Sequence, residues 1–334
     1  MSADTSSTPL PAVPLKSPLS VPARRLLLLA ALALLAVVLF MTLGLKGNVH
    51  YILVHRGLVL ATMLLVAFAS GVATLLFQTV THNRILTPSI MGLEALFILI
   101  QTGLIFFVDA DGFRMPGIVG KFLCEALLLL LFSVVLYRWL LGGVGVNLHR
   151  VLLTGLIFGT LFRSLSTLLQ RLLSPGEFAI LQGRIFATFT RAAPEIIAVA
   201  ALIVAGVAVL VWRMRHELDV LALGRHAAIN LGVAYQQKVI TVLLLVSLLV
   251  AVSTALVGPL TFLGLLVANL AWQIIGSHRH QYLLPGVFLT AVITLVGGQL
   301  ILERMLNMAG TLSVVIEFTG GALFLYLLIK KAAL

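Results

Sequence analysis

Apolar runs about 20 residues long recur along nearly the whole chain, and a fold must place every one of them away from water. They fall at 26–45, 57–80, 89–108, 117–140, 148–169, 192–212, 238–257, 258–275, 284–301 and 309–329. A helix of about 20 residues crosses the hydrocarbon of a bilayer, whereas barrel strands alternate in polarity and are about half as long. The expectation is an all-α integral membrane protein with about ten transmembrane helices. Composition agrees: 61% of the 334 residues are hydrophobic and 10% are charged, against about 25% charged in a soluble domain.

Residues 1–22 are rich in Ser, Thr, Pro and Ala without periodicity and read as a disordered cytoplasmic tail. Residues 23–334 read as a single membrane domain. Arg24 and Arg25 precede the first run as they would in a signal peptide. No convincing cleavage site follows and the run is long enough to span, so a retained helix is expected. Gly258-Pro259 must break the chain between the seventh and eighth runs, because Pro lacks an amide donor. The net charge of +11 lies in short loops, where Lys and Arg set topology and meet anionic headgroups. Nucleic acid is not implied. With both termini inside, the cytoplasmic segments hold more of the basic residues, among them Arg24, Arg25, Arg84, Arg213, Arg225 and Lys238.

One stretch, 213–238, is polar and charged yet as long as a span. Val220, Leu223, Ala227 and Leu231 fall close to one helical face, and Gly224 and Gly232 divide the stretch into two short helices. A folded basic island between spans meets a soluble partner; the plain alternative is a solvated loop.

No P-loop, His-Glu-x-x-His or Gly-x-Ser-x-Gly occurs, so ATP hydrolysis by this chain and covalent chemistry are not indicated. His278, Arg279 and His280 read as a loop, and neither a metal site nor a cofactor is expected. The single cysteine, Cys124, excludes an intrachain disulfide. Ionisable residues inside runs cost several kcal/mol in hydrocarbon. Glu94 and Glu195 lie near run ends and are expected to reach the interface. Arg163 and Glu317 lie deeper, and Arg163 is followed by Ser166, Thr167 and Gln170 on a polar strip. Two readings stand for them: a translocation pathway or subunit interface, and a buried structural pair. Gln78, Asn269 and Gln299 suit hydrogen bonds between helices. Ala67, Ala69, Ser70, Gly71 and Ala73, with Gly297-Gly298 and Gly320-Gly321, suit close helix packing.

Several motifs occur in a meaningful order. Arg56, Ala69-Ser70-Gly71, Gln78 and the run from Asn83 to Gly92 resemble the second-span signature of the iron-chelate ABC-transporter permeases, the FecCD family, which includes the cobalamin permease. Leu223-Gly224, Ala228 and Leu231-Gly232 match that family's Leu-Gly-x-x-x-Ala-x-x-Leu-Gly pattern, and Gly258 to Val267 is similar to its Gly-x-Ile-x-Phe-Val-Gly-Leu block.

The resemblance implies a type II ABC importer permease-like bundle in a bacterial inner membrane. It implies a second permease, a cytoplasmic ABC ATPase and a periplasmic or lipid-anchored substrate-binding protein as partners, beside membrane lipids. Leu223, Gly224, Ala228, Leu231 and Gly232 then form the ATPase-coupling segment, and Arg56 corresponds to a docking residue for the binding protein. Leu53 stands where many relatives have a second Arg. Arg225, Ala268-Asn269, Arg84-Ile85-Leu86 and Ala309 to Ser313 depart from the family pattern. These departures resemble the subgroup for ferric siderophores, particularly catecholates, in which two different permeases pair. The implied activity is import of ferric siderophore; cobalamin or haem as cargo, and an ion-gradient transporter with Glu317 and Arg163 as a proton relay, are the alternatives.

Overall fold

The computed structural model describes residues 21–44, 48–108, 117–141, 148–190, 193–305 and 311–332. The expected tail therefore lies outside the described residues except at its end, where Val21 already begins a helix. Thirteen α-helices occur among the described residues: α1 (Val21–Thr42), α2 (Val49–Thr81), α3 (Leu93–Val108), α4 (Gly117–Leu141), α5 (Leu148–Gln170), α6 (Pro175–Ile185), α7 (Pro194–Arg213), α8 (Arg215–Leu221), α9 (Arg225–Asn230), α10 (Tyr235–Val257), α11 (Leu263–Ile275), α12 (His280–Arg304) and α13 (Leu312–Ala332). Among the described residues, seven helices are long and apolar enough to cross a membrane, and 93–107, 263–275 and 312–322 are shorter apolar helices. Each apolar run read from the sequence contains one α-helix among the described residues, and α6, α8 and α9 are short additions between them.

The centre of the bundle is α2, α10 and α12, with α11 packed on α2 and α12. The small residues of α2 serve this packing. Ala67, Ala69, Gly71 and Ala73 are buried, and a Cβ on Gly71 would stand 2.7 Å from Val287 of α12. Gly320 is equally tight against Phe262, and Gly298 lies close to Leu312, whereas nothing lies within 4 Å of a Cβ on Gly297 or Gly321. A further pair went unread in the sequence. A Cβ on Gly155 of α5 would meet Met91 Cα at 2.8 Å, and one on Gly159 would meet Gly92 Cα at 3.2 Å. This small-x-x-x-small face lets α5 lie against backbone.

Two irregular segments make α3 and α11 short. After α2 the chain turns at Arg84 and Ile85 and enters a single 3₁₀ turn, Pro88–Met91, before α3 begins. After α10, Gly258 adopts φ +102°, open only to glycine without strain, and Pro259 prevents the helix from continuing. Thr87, Pro88, Gly258 and Leu260 of these segments are buried, and non-helical backbone at membrane depth is tolerated where protein surrounds it. Their backbone groups find partners. The Arg84 carbonyl accepts from Gln78 Nε2 at 2.7 Å and from Asn269 Nδ2 at 3.1 Å. Trp272 Nε1 donates to Gln78 Oε1 at 3.3 Å, and the Arg84 guanidinium lies 4.3 Å from the Trp272 ring centre. Gln78 and Asn269 thus join elements as expected, but Gln299 donates to Glu303 on its own helix.

Two sequence readings are corrected. α2 begins at Val49 instead of 57, so its 33 residues extend the helix well beyond a membrane thickness. His280 is not in a loop: it opens α12 and is fully buried.

Candidate functional site

A cavity of about 410 Å³ opens beside α5 and α13. Arg163 and Gln170 of α5 and Glu317 of α13 line it together, although more than a hundred residues separate the two helices in sequence. Glu94 of α3, Ser166 and Thr167 of α5, Gln182 of α6, Thr261 of the α10–α11 connection and Ser313 of α13 add polar groups to the wall, and Pro259 also lines it. Arg163 and Glu317 are exposed and form no ion pair among the described residues, so the reading as a buried structural pair does not hold. The strip on α5 divides by face. Gln170 donates to Ser166 at 3.0 Å and to Thr102 of α3 at 3.4 Å, and Ser166 lies 3.0 Å from Thr102, so these groups also tie α5 to α3.

Glu94 behaves differently from its expected place at the interface. It is 7% exposed. Its carboxylate accepts from Ser89 of the 3₁₀ turn at 2.8 Å and from Thr261 at 2.7 Å, so one side chain ties together the two irregular segments. Proximity to a run end pointed the other way, and only the fold brings Thr261 to Glu94. Glu195 is exposed in the first turn of α7.

Arg56 stands in the early turns of α2. Its guanidinium donates to the carbonyls of Phe40 and Leu43 at 2.7 Å each, and lies 3.9 Å from Glu303 of α12. It therefore caps the C-terminus of α1, whose last carbonyls lack helical partners. Its side chain is 13% exposed.

The polar island lies at the other end of the bundle. α8 and α9 are separate helices, divided at Gly224, which has φ +99°. Gly232, at φ +80°, ends α9; its amide reaches Ile229 O at 2.9 Å and the next amide, of Val233, reaches Ala228 O at 3.0 Å, a Schellman closure. Of the four residues that spacing puts close to one face, Val220 and Ala227 are half-buried and Leu223 and Leu231 are exposed. Leu218, Leu221 and Ala228 point into the protein. Leu223, Ile229 and Leu231 are 65%, 49% and 61% exposed. The pair is fastened beneath: Lys238 Nζ of α10 lies 2.8 and 2.7 Å from the two carboxylate oxygens of Glu217 in α8. Asp219 of α8 accepts from the backbone amide of His280 at 2.7 Å. Burial raises the pKa of Asp219, but the bonds from the His280 ring and amide and the nearby His280 and His216 outweigh it, so the carboxyl is held below its ordinary range. Basic residues gather at this end, including Arg25, which donates to Ile274 O at 3.1 Å.

Comparison with known proteins gives this architecture a context. A permease protein of the petrobactin import system of Bacillus subtilis strain 168, YclO, is 43% identical over 307 residues, covering 92% of this chain and 97% of that protein. The corresponding permease FatC of Bacillus anthracis is 38% identical over 280 residues, covering 84% of this chain and 79% of that protein. A solved inward-facing structure of a metal-chelate type ABC transporter superposes with a TM-score of 0.80 at 22% identity, covering 93% of this chain and all of that one. The family model of the FecCD transport family matches residues 26–330, and with multi-pass helices, irregular segments turned inward and a folded helix pair at one end, this chain belongs to that family.

Proposed function

We propose that this chain is a permease subunit of an ATP-driven importer that carries a ferric siderophore of the catecholate class across a bacterial inner membrane. The petrobactin permeases to which it is similar support the cargo class. All of the apolar helices cross the membrane in this reading, and the concentration of Arg and Lys around α8 and α9 assigns that end to the cytoplasm. Both termini are then cytoplasmic. A separate ABC ATPase hydrolyses ATP, and a second permease, not identical to this one, covers the cavity side of α5, α6 and α13. The cavity then becomes half of a shared pathway, with Arg163, Gln170 and Glu317 on its wall. Arg56, at the opposite end near Glu303 and Arg304, steers the substrate-binding protein.

The observation that carries the reading is the α8–α9 pair, which exposes Leu223, Ile229 and Leu231 although its other face is anchored. Leu223, Gly224, Ala228, Leu231 and Gly232 act as the ATPase-coupling segment. An apolar knob on a fixed base fits a cleft and transmits its closure as a rigid body. Leu223→Asp and Gly224→Trp are expected to insert normally but to abolish copurification of the ATPase and uptake of ferric petrobactin; normal uptake in both overturns the assignment. Arg56→Gln is expected to weaken binding-protein affinity at low salt and little at high salt. A loss independent of salt would assign Arg56 to α1 packing alone.

A further inference from the structure

The anchored side of α8 holds a contact that spans three elements. Asp219 Oδ1 lies 2.7 Å from both the backbone amide and ring Nδ1 of His280, the first residue of α12. The carboxylate only accepts, so Nδ1 carries a proton and His280 donates twice to one oxygen. The other ring nitrogen, Nε2, lies 2.9 Å from Thr79 Oγ1 in the last turn of α2. Thr79 is bonded in turn to the Leu75 carbonyl at 2.9 Å. His280 is fully buried and Thr79 is 5% exposed. An imidazole with both nitrogens engaged by different elements is a rigid spacer, and moving α8 without moving the ends of α12 and α2 breaks buried hydrogen bonds.

The second fastening of α8 differs in kind. Glu217 and Lys238 are 39% and 33% exposed, and a pair in that setting is screened and contributes little. The first turn of α12 is also separable from the rest, because Pro285 removes one helical bond just beyond it.

We propose that Asp219, through His280 and Thr79, is the positioning latch that delivers displacement of the α8–α9 pair to the cytoplasmic ends of α12 and α2. This rests on the coupling role of the α8–α9 pair, and it assigns the transmitting residues within the permease. Asp219 touches neither cargo nor nucleotide; it acts through the helices it holds.

The test uses the full complex, both permeases with the ATPase and the binding protein, in proteoliposomes. ATP hydrolysed and radio-iron-labelled ferric petrobactin accumulated are measured together. Asp219→Ala and the nearly isosteric Thr79→Val are expected to assemble with the ATPase and hydrolyse ATP within about twofold of the unaltered complex, while cargo moved per ATP falls about tenfold. Asp219→Asn, which keeps an acceptor oxygen toward the His280 amide, is expected to recover part of the loss. An unchanged ratio of cargo to ATP in both Asp219→Ala and Thr79→Val overturns the latch, including the case where both activities fall in equal proportion. Leu223→Asp is run beside them. Should it leave ATPase assembly intact, the coupling role of the segment fails; should it abolish assembly while the latch variants keep a normal ratio, the latch alone fails.

Discussion

A carboxylate in the interior of a membrane bundle needs partners, and Glu94 has found two hydroxyls on two separate segments. Replacing it removes the common acceptor of Ser89 and Thr261. Glu94→Leu is expected to cost about 1–3 kcal/mol, the penalty for stranding polar groups in the interior. Glu94→Gln should cost less than half as much, because its amide still offers one acceptor and the hydroxyls can turn. Thermal unfolding of the detergent-solubilised protein measures both, and equal losses for the two would show that shape and not hydrogen bonding holds the site. Asp219 makes a different use of charge. Its carboxyl lies below the ordinary range, so its contribution to stability is fully present above the unfolded pKa, about 3.9. That contribution is lost as pH falls through the folded value. At neutral pH the carboxylate end of the latch is therefore ionised.

At the scale of elements, α5 is the helix whose placement decides the cavity. It lies against the 3₁₀ turn and α3 because Gly155 and Gly159 remove side chains where Met91 and Gly92 approach. Gly155→Leu would put a branched side chain into a backbone contact of 2.8 Å, and backbone cannot yield as a side-chain tip can. A loss of about 1–3 kcal/mol is expected from overpacking. Labelling of a cysteine introduced at Thr167 measures whether the cavity wall has shifted; an unchanged labelling rate and melting temperature would mean that α5 has another, equally good seat. α6, which contributes Gln182 to the same wall, is set by a local device. Ser174 accepts from the Glu177 amide at 3.4 Å and Glu177 accepts from the Ser174 amide at 2.8 Å, a capping box that starts the helix at Pro175.

For the whole molecule, the proposed division of labour with a separate ATPase means that the chain should do nothing alone. Reconstituted without an ATPase and given a proton or sodium gradient, the chain is expected to accumulate no ferric petrobactin. With the proposed sister permease, ATPase and binding protein, accumulation should require ATP. Accumulation on the gradient alone would favour a secondary transporter, with Arg163 and Glu317 as its ionisable pair.

Run length, punctuation by Gly and Pro, and the bias of Lys and Arg were legible in the chain because each is a local consequence of crossing an apolar slab. They determined a many-helix membrane bundle, the break at Gly258-Pro259, the division of the polar island at Gly224, and the ordered motifs that mark the family. Arg163, Gln170 and Glu317 stood out for the same reason, since a polar group in an apolar run has a cost wherever the helix goes. What each polar group touches was not legible. Glu94 read as an interface residue until Thr261 was brought to it, and His280 read as loop until Asp219 and Thr79 enclosed it. Which side of α8 and α9 is buried was not legible either, because a glycine at positive φ separates the two helices. Tertiary structure decided these matters because hydrogen bonds reach about 3 Å, and which groups come that close depends on how distant helices pack.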